Sequence, residues 1–171
     1  LTVGTTYYHI ESERIPRAFD GYKIAVVSDL HNAEFGKENS QIIKIIEKEK
    51  PDMIAITGDL VDSNRLDIDV AITLVQKLMK IAPCYYVTGN HEAWIGQRFS
   101  ELERKLFDEK VEVLRDRVIQ FEKDQQSIQI AGVDDPDFAD RDRSIQSSVL
   151  LSKIKNLKLS DEYCVLLSHR P

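Results

Sequence analysis

The chain has 171 residues, 42% of them hydrophobic, which is enough to bury the core of one domain, and we assign residues 1–171 to a single domain. Its net charge of -6 and pI near 5.3 argue against a surface that neutralises nucleic-acid phosphates, so no nucleic-acid partner is expected. No run reaches the roughly 18 apolar residues that span a bilayer. Cys84 and Cys164 lack C-x-x-C spacing, which is typical of buried thiols rather than of a disulfide framework or a zinc site.

The first half of the chain alternates apolar strands with amphipathic helices. Strand composition marks Thr5 to Ile10 and the near-continuous apolar run Ile24 to Val27. A helix begins near a capping Asn39 or Ser40 and ends before Pro51. The elements predicted next are, in order, a strand over 53–57, a helix over 66–82, a strand over 84–88 and a helix opened by a Ser100/Glu103 capping box.

The second half has fewer helices between its strands. Strands are predicted over 111–114, 118–121 and 128–133, the last two joined by the polar turn Lys123 to Gln126, followed by a helix over 145–157 and a strand over 163–167. Strands that alternate with helices predict βαβ units, so the fold class is α/β with a largely parallel sheet.

Four polar motifs follow apolar strands directly. They are Asp29-Leu30-His31, Gly58-Asp59-Leu60-Val61-Asp62, Gly89-Asn90-His91-Glu92 and Ser168-His169-Arg170, and they hold three of the four histidines. The carboxyl ends of parallel strands meet at one crevice, so we expect these motifs to converge.

Carboxylate, amide and imidazole groups are ligands of hard or borderline divalent cations, and no thiolate is among them. The candidate ligands are Asp29, His31, Asp59, Asn90 and His169. Strand-like alternation would place Asp29 and His31 on one side with Leu30 packed inward, while Asp59 is placed to bridge two ions. Gly58 and Gly89 allow sharp turns and close approach of the backbone before the ligands.

Such a dinuclear site suits the hydrolysis of phosphoesters. Two ions roughly 3.5–4 Å apart lower the pKa of a bridging water and stabilise the entering and leaving oxygens of an in-line displacement. His91 would then act beside the leaving group as a general acid or as a hydrogen-bond donor. Asp62 and Glu92 are expected to orient the ligands and histidines.

Three further features are less specific. Trp94 and Phe99 could line an apolar wall for substrate or pack in the core. The run Asp134-Asp135-Pro136-Asp137 is interpreted as a solvated acidic loop, with Asp135 at the border of the cleft as the alternative. Arg170, beside His169, is a candidate contact for the substrate phosphate.

The motifs D-x-H, G-D-x-x-D and G-N-H-[DE] together resemble those of the calcineurin-like metallophosphoesterase superfamily. The segments 28–32, 56–63, 86–92, 132–136 and 166–171 are more narrowly similar to bacterial phosphoesterases of the YkuE/YaeI type. The resemblance extends over nearly the whole chain.

This resemblance implies a four-layer αββα sandwich and a metal-dependent hydrolase of phosphodiesters or phosphomonoesters. Asp29 and His31 would belong to the first metal, Asp59 would bridge, Asn90 and His169 would belong to the second metal, and His91 would be catalytic. The implied cofactors are two divalent ions drawn from manganese, iron and zinc, and the implied partner is a phosphoester substrate. A lipid-linked pyrophosphate such as UDP-diacylglucosamine is a further substrate candidate.

The sequence departs from this pattern in one respect, because no Gly-His-x-His motif occurs in its 171 residues. One ligand for each metal is therefore missing, and we interpret the domain as partial, truncated before that motif. The chain by itself is expected to bind metal weakly and to turn over poorly. It begins at Leu1 rather than at a methionine, which leaves open an upstream membrane anchor or export signal, and with it a cytoplasmic, membrane-associated or exported location.

Other functional classes fit less well. The chain has neither the G-x-x-x-x-G-K-[ST] motif of phosphate-binding NTPases nor the G-x-G-x-x-G motif of dinucleotide-binding folds. Asp67-Ile68-Asp69 could suggest an aspartate-nucleophile phosphatase, but it lies at the start of a predicted helix. The alternative that stays open is a metal-binding or scaffold domain of the same fold without catalysis.

Overall fold

Seven strands and five α-helices make up the computed structural model, which describes residues 3–170. The strands are β1 (Ile24–Val27), β2 (Met53–Thr57), β3 (Cys84–Val87), β4 (Glu112–Val113), β5 (Arg117–Lys123), β6 (Gln126–Gly132) and β7 (Cys164–Leu167). The helices are α1 (Ser40–Glu49), α2 (Ile68–Leu78), α3 (Asn90–Trp94), α4 (Phe99–Asp108) and α5 (Gln146–Asn156).

The strands form two sheets. In the first sheet the order is β1-β2-β3-β4 and all neighbours are parallel, with Val26 opposite Ala55 and Ile54 opposite Cys84. In the second sheet β5 and β6 form an antiparallel hairpin, and β7 adds parallel to β6 after the crossover through α5. The prediction of βαβ units is therefore confirmed for β1 to β4 and for β6-α5-β7.

The two sheets pack face to face, and helices cover both outer faces. Residues of both sheets share the inner layer, which comprises Met53, Ala55, Tyr85, Val87, Leu114, Ile130 and Leu167. Alternate residues of β2 and β3 face outward against α2 and α4, as Ile54, Ile56, Cys84 and Tyr86 do. On the far side, Leu150 of α5 packs on Ala131. This is the expected four-layer αββα sandwich.

Three local predictions are wrong. Residues 5–10 form no strand, because they lie along the surface with Tyr8 exposed and no neighbouring strand to pair with. Ser100 does not cap α4, which begins at Phe99 after a short 3-10 turn and has no side-chain cap. Asn39 stands at the N-cap of α1, but its buried side chain accepts a hydrogen bond from Phe35 N instead.

The interpretation of Asp67-Ile68-Asp69 as the start of a helix is confirmed. Asp67 is the N-cap of α2 and accepts hydrogen bonds from Asp69 N and Val70 N, so it is held as a capping residue and not as a nucleophile at a strand end. Both cysteines are unpaired thiols; Cys84 is buried, as predicted, whereas Cys164 is only partly buried. Within residues 3–170, no helix is long and apolar enough to cross a bilayer.

Arg115 joins the ends of the two sheets. It follows β4, and its guanidinium meets both carboxylate oxygens of Asp134, which follows β6, at 2.8 and 3.0 Å from Nε. It also lies 4.8 Å from the ring centroids of Phe99 and Phe138. Asp134 in turn accepts a hydrogen bond from Thr88 at the end of β3. The ends of β3, β4 and β6 are thereby held together.

Replacement of Arg115 by methionine should lower the free energy of unfolding by about 2–4 kcal/mol, because the Asp134 carboxylate would stay buried without its cation. Urea unfolding measures this loss. Arg104→Met, at an exposed position of α4, is the control and should change stability by less than about 0.5 kcal/mol. Equal effects of the two substitutions would contradict a role for the Arg115–Asp134 pair.

Candidate metal centre

The loops that follow β1 and β2 run side by side. The amides of Asp29 and His31 donate to the carbonyls of Gly58 at 3.2 Å and Asp59 at 2.9 Å. Asp29, His31 and Asp59 all have left-handed backbones, with φ of 55°, 48° and 51°. Such conformations cost energy in non-glycine residues and concentrate at functional sites.

Asp29 and His31 are brought together, although not by strand alternation. The strand ends at Val27, and the left-handed turn places His31 Nε2 3.6 Å from Asp29 Oδ1. Leu30 between them is buried, as predicted. The prediction that strand alternation puts Asp29 and His31 on one side was wrong. Both residues lie beyond the strand, where side chains no longer alternate.

Asp59 lies at the centre of the site, with 4% of its side chain exposed. Its Oδ1 accepts a hydrogen bond from His91 N at 2.9 Å. Its Oδ2 lies 3.6 Å from His31 Nε2 and 3.4 Å from His169 Nε2. One carboxylate oxygen therefore faces ligand nitrogens from two different motifs.

His169 presents an acceptor to the same place. Its Nδ1 lies 2.9 Å from the carbonyl oxygen of Thr57, so Nδ1 carries the proton and Nε2 of the neutral ring has a free lone pair. That Nε2 lies 3.2 Å from Asn90 Oδ1. An amide oxygen and an imidazole nitrogen this close together are two donors that one divalent ion could take.

The ligand atoms fall into two overlapping groups. Within each group they lie within 4.8 Å of one another: one joins His31, Asp59 and His91, and the other joins Asp29, Asp59 and His169. Asp59 is common to both. All five predicted ligands thus meet in one place, and hard oxygen and imidazole donors without a thiolate suit manganese, iron or zinc. The division of these residues between two particular ions stays a prediction.

Glu92 connects the loop after β2 with the start of α3 through hydrogen bonds. It is fully buried, and its carboxylate accepts hydrogen bonds from the amides of Asp59 and Leu60, each at 2.8 Å, and of Gly89 at 2.7 Å. Val61 N is a weaker donor at 3.4 Å. Burial raises the pKa of Glu92 to about 7, while these N–H groups act in the opposite direction by favouring the carboxylate.

Gly58 and Gly89 are required by close approach. Gly58 has a φ of 89°, and a Cβ there would lie 2.5 Å from Gly89 N. A Cβ on Gly89 would lie 2.2 Å from Asp59 Oδ1. The glycines therefore let the second and third motifs touch, as the sequence predicted.

His91 belongs to the first of the two ligand groups and lies at the start of α3. Its Nδ1 accepts a hydrogen bond from Ser63 N at 3.0 Å, so in the neutral ring the proton is on Nε2. Asp62 Oδ1 lies 3.7 Å from Nδ1, and a hydrogen bond from Asn64 N lowers the pKa of Asp62. The imidazole centroid is 4.4 Å from that of His31.

The acidic segment 134–137 is buried, so its interpretation as a solvated loop is wrong. Asp135 is 2% exposed, and its carboxylate lies 2.8 Å from Arg170 Nε, while Asp137 lies 3.2 Å from Arg170 Nη2. Burial raises the pKa of Asp135, and the guanidinium opposes that shift. The prediction of a solvated loop was wrong because the arginines that pair with these aspartates lie in distant parts of the chain.

Phe99 is buried in the core, whereas Trp94 is partly exposed beside His91. Two contacts near the site were not predicted from the sequence: the bond from Trp94 to Asp137 and the pairing of Arg115 with Asp134. One feature of the sequence could have indicated such pairing: three aspartates follow a strand that was predicted to be buried.

Replacing Glu92 by glutamine should lower the free energy of unfolding by about 1–3 kcal/mol, because its NH₂ group would face backbone donors that need an acceptor. Urea unfolding without added metal measures the loss. Glu47→Gln, at an exposed position of α1, is the matched control and should be neutral. A neutral Glu92→Gln would mean that the buried carboxylate does not hold the loops.

Alanine at Gly89 should displace the Asp59 carboxylate and abolish Mn²⁺ binding, with a stability loss of about 1–3 kcal/mol from overpacking. Calorimetric Mn²⁺ titration and urea unfolding test the two effects. Gly4→Ala, where an added Cβ meets nothing within 4 Å, should leave both properties unchanged. Unaltered Mn²⁺ binding in Gly89→Ala would contradict the close packing of the two motifs.

Curated metallophosphoesterases are similar in sequence to this chain. The chain is 31% identical over 170 residues to an uncharacterized metallophosphoesterase of Aquifex aeolicus, covering 96% of this chain and 60% of the relative. It is 33% identical over 94 residues to the uncharacterized metallophosphoesterase YkuE of Bacillus subtilis, covering 53% of this chain and 33% of YkuE. The chain thus spans less than two thirds of the length of each of these relatives.

Solved structures share the fold. The crystal structure of TT1561 from Thermus thermophilus aligns with a TM-score of 0.58 at 14% identity, covering 87% of this chain and 72% of TT1561. The family model described as calcineurin-like phosphoesterase matches residues 22–171, which include all four polar motifs. The chain therefore belongs to the calcineurin-like phosphoesterase family.

Proposed function

We propose that this protein hydrolyses phosphoesters, with phosphodiesters as the first candidates and phosphomonoesters as the second. The observation that carries the proposal is the position of Asp59 Oδ2, which faces His31 on one side and His169 on the other. A carboxylate oxygen shared in this way is what a dinuclear centre requires. Membership of a metal-dependent family supports the same interpretation.

The proposed ligands are those predicted from the sequence: Asp29, His31, Asp59, Asn90 and His169. When bound, two divalent ions would supply Lewis-acid stabilisation of phosphate charge and lower the pKa of a coordinated water. The chain itself fixes the orientation of the ligands, because Thr57 O holds the His169 ring and Glu92 holds the Asp59 loop.

His91 is the proposed general acid. In the neutral ring Ser63 N donates to Nδ1, which leaves the Nε2–H free to donate a hydrogen bond to a leaving oxygen. Transfer of the Nε2 proton itself requires the imidazolium, whose Nδ1–H would exchange Ser63 N for the Asp62 carboxylate, 3.7 Å from Nδ1. The side chain is only partly exposed, so its orientation is restricted by its neighbours.

The side chain of Arg170 is already bound to other side chains of the protein. Its guanidinium pairs with Asp135 and Asp137 and donates to Gln146. We propose that it first holds the segment that carries His169, and that contact with a substrate phosphate requires it to exchange one of these partners. Substrate contact by Arg170 or Asp135 stays a prediction.

The proposal is tested with bis(p-nitrophenyl) phosphate and the Mn²⁺-loaded protein expressed from its natural gene. His91→Ala should lower kcat by about 10²–10⁴-fold while Mn²⁺ affinity, measured by calorimetry, changes little. His9→Ala, at an exposed histidine far from the motifs in sequence, is the control and should keep full activity.

Two results would count against this assignment. Full activity in His91→Ala would remove His91 from the mechanism. Tight Mn²⁺ binding without turnover of any phosphodiester or phosphomonoester would favour the scaffold alternative over an enzyme.

A further inference from the structure

Trp94 lies beside the candidate general acid. It is the single tryptophan of the chain and ends α3, three residues after His91. Its ring centroid is 4.7 Å from that of His91, at an interplanar angle of 42°. His91 in turn contacts His31. The imidazole of His91 therefore lies between the indole of Trp94 and the candidate ligand His31.

The indole is held firmly by a hydrogen bond. Trp94 Nε1 donates to Asp137 Oδ2 at 2.7 Å. Asp137 is buried, and its other carboxylate oxygen accepts from Gln146 and lies 3.2 Å from Arg170 Nη2. An aromatic ring fixed in this way loses little conformational entropy when a ligand packs on it.

Part of the indole nevertheless faces solvent. The residue is 37% exposed, although its one polar side-chain atom is already bonded. The exposed side-chain surface is therefore mostly apolar ring carbon, whereas Phe99, five residues later, is buried in the core. A rigid, exposed aromatic surface next to a catalytic group is suited to stacking against a planar ligand.

We propose that Trp94 determines substrate specificity by stacking on a nucleobase attached to the phosphate on the side of His91. This inference rests on the proposed function, since the metal centre must hold the phosphate. The occupant is of mononucleotide size, because a net charge of -6 and the Asp62 carboxylate beside His91 oppose a long polyanion.

The test uses the natural protein loaded with diamagnetic Zn²⁺ and two probes, uridine 5′-monophosphate and ribose 5-phosphate. Both carry the same phosphate and sugar, and only the first carries a base. Because Trp94 is the only tryptophan, its fluorescence reports directly on stacking. Uridine monophosphate should quench it and bind at least about fivefold tighter than ribose phosphate, which should not quench it. Released inorganic phosphate is measured alongside to correct for hydrolysis.

Variants then assign the preference to Trp94. In Trp94→Leu, calorimetry should show the two probes binding equally, with Zn²⁺ affinity unchanged. Phe107→Leu, at an aromatic residue of α4 that is 71% exposed, is the control and should keep the natural preference. Trp94→Phe, which keeps a smaller ring and loses the bond to Asp137, should show an intermediate preference and serves if the leucine variant fails to fold.

The outcomes separate the two proposals. Equal binding of both probes to the natural protein would contradict stacking by Trp94, while it would still support a phosphate-binding site. Binding of neither probe would overturn the phosphate site and the stacking role together. A preference retained in Trp94→Leu or undiminished in Trp94→Phe would show that another residue reads the base.

Discussion

The buried carboxylate of Glu92 holds the loops of the candidate metal centre against each other. Its bonds to the amides of Asp59, Leu60 and Gly89 tie the loop after β2 to the start of α3. In return, Asp59 accepts a hydrogen bond from His91 N. The motif after β2 and the motif at the start of α3 thus hydrogen-bond to each other. These bonds fix the position of the Asp59 side chain. Such preorganisation is what a multi-ligand site requires.

A second network connects this centre with the other sheet. Asp135 N donates to Thr88 Oγ1, which itself donates to Asp134 Oδ1, so the ends of β3 and β6 are bonded directly. Arg170 joins β7 to the same region through Asp135. The candidate ligand His169 belongs to the second sheet and Asp59 to the first, so the site exists only where the two sheets are in register. Its geometry depends on the sandwich as a whole.

Much of the fold could be predicted because its signals are local. The strands β2 and β3 are continuous apolar runs bounded by Pro51 and Pro83 on one side and by glycine-containing motifs on the other. Residues 5–10 carry a similar strand composition and yet form no strand, since strand formation also needs a neighbouring edge. Burial of the 134–137 segment was mispredicted for a related reason: a carboxylate can be buried when a distant arginine pairs with it, and sequence distance hides that pairing.

The sequence by itself determined the α/β class, the order of strands and helices from β1 onward and the residue types that gather at the strand ends, while the αββα sandwich was implied by the resemblance to a known family. Hydrophobic periodicity and the motifs after each strand carry this information along a few residues at a time. The tertiary structure decided how those residues meet: the left-handed turn that brings Asp29 to His31, the sharing of Asp59 between two histidines, and the bond that fixes Trp94 beside His91. These are contacts between segments far apart in the chain, and they form only when the two sheets pack and bring the strand ends to one edge.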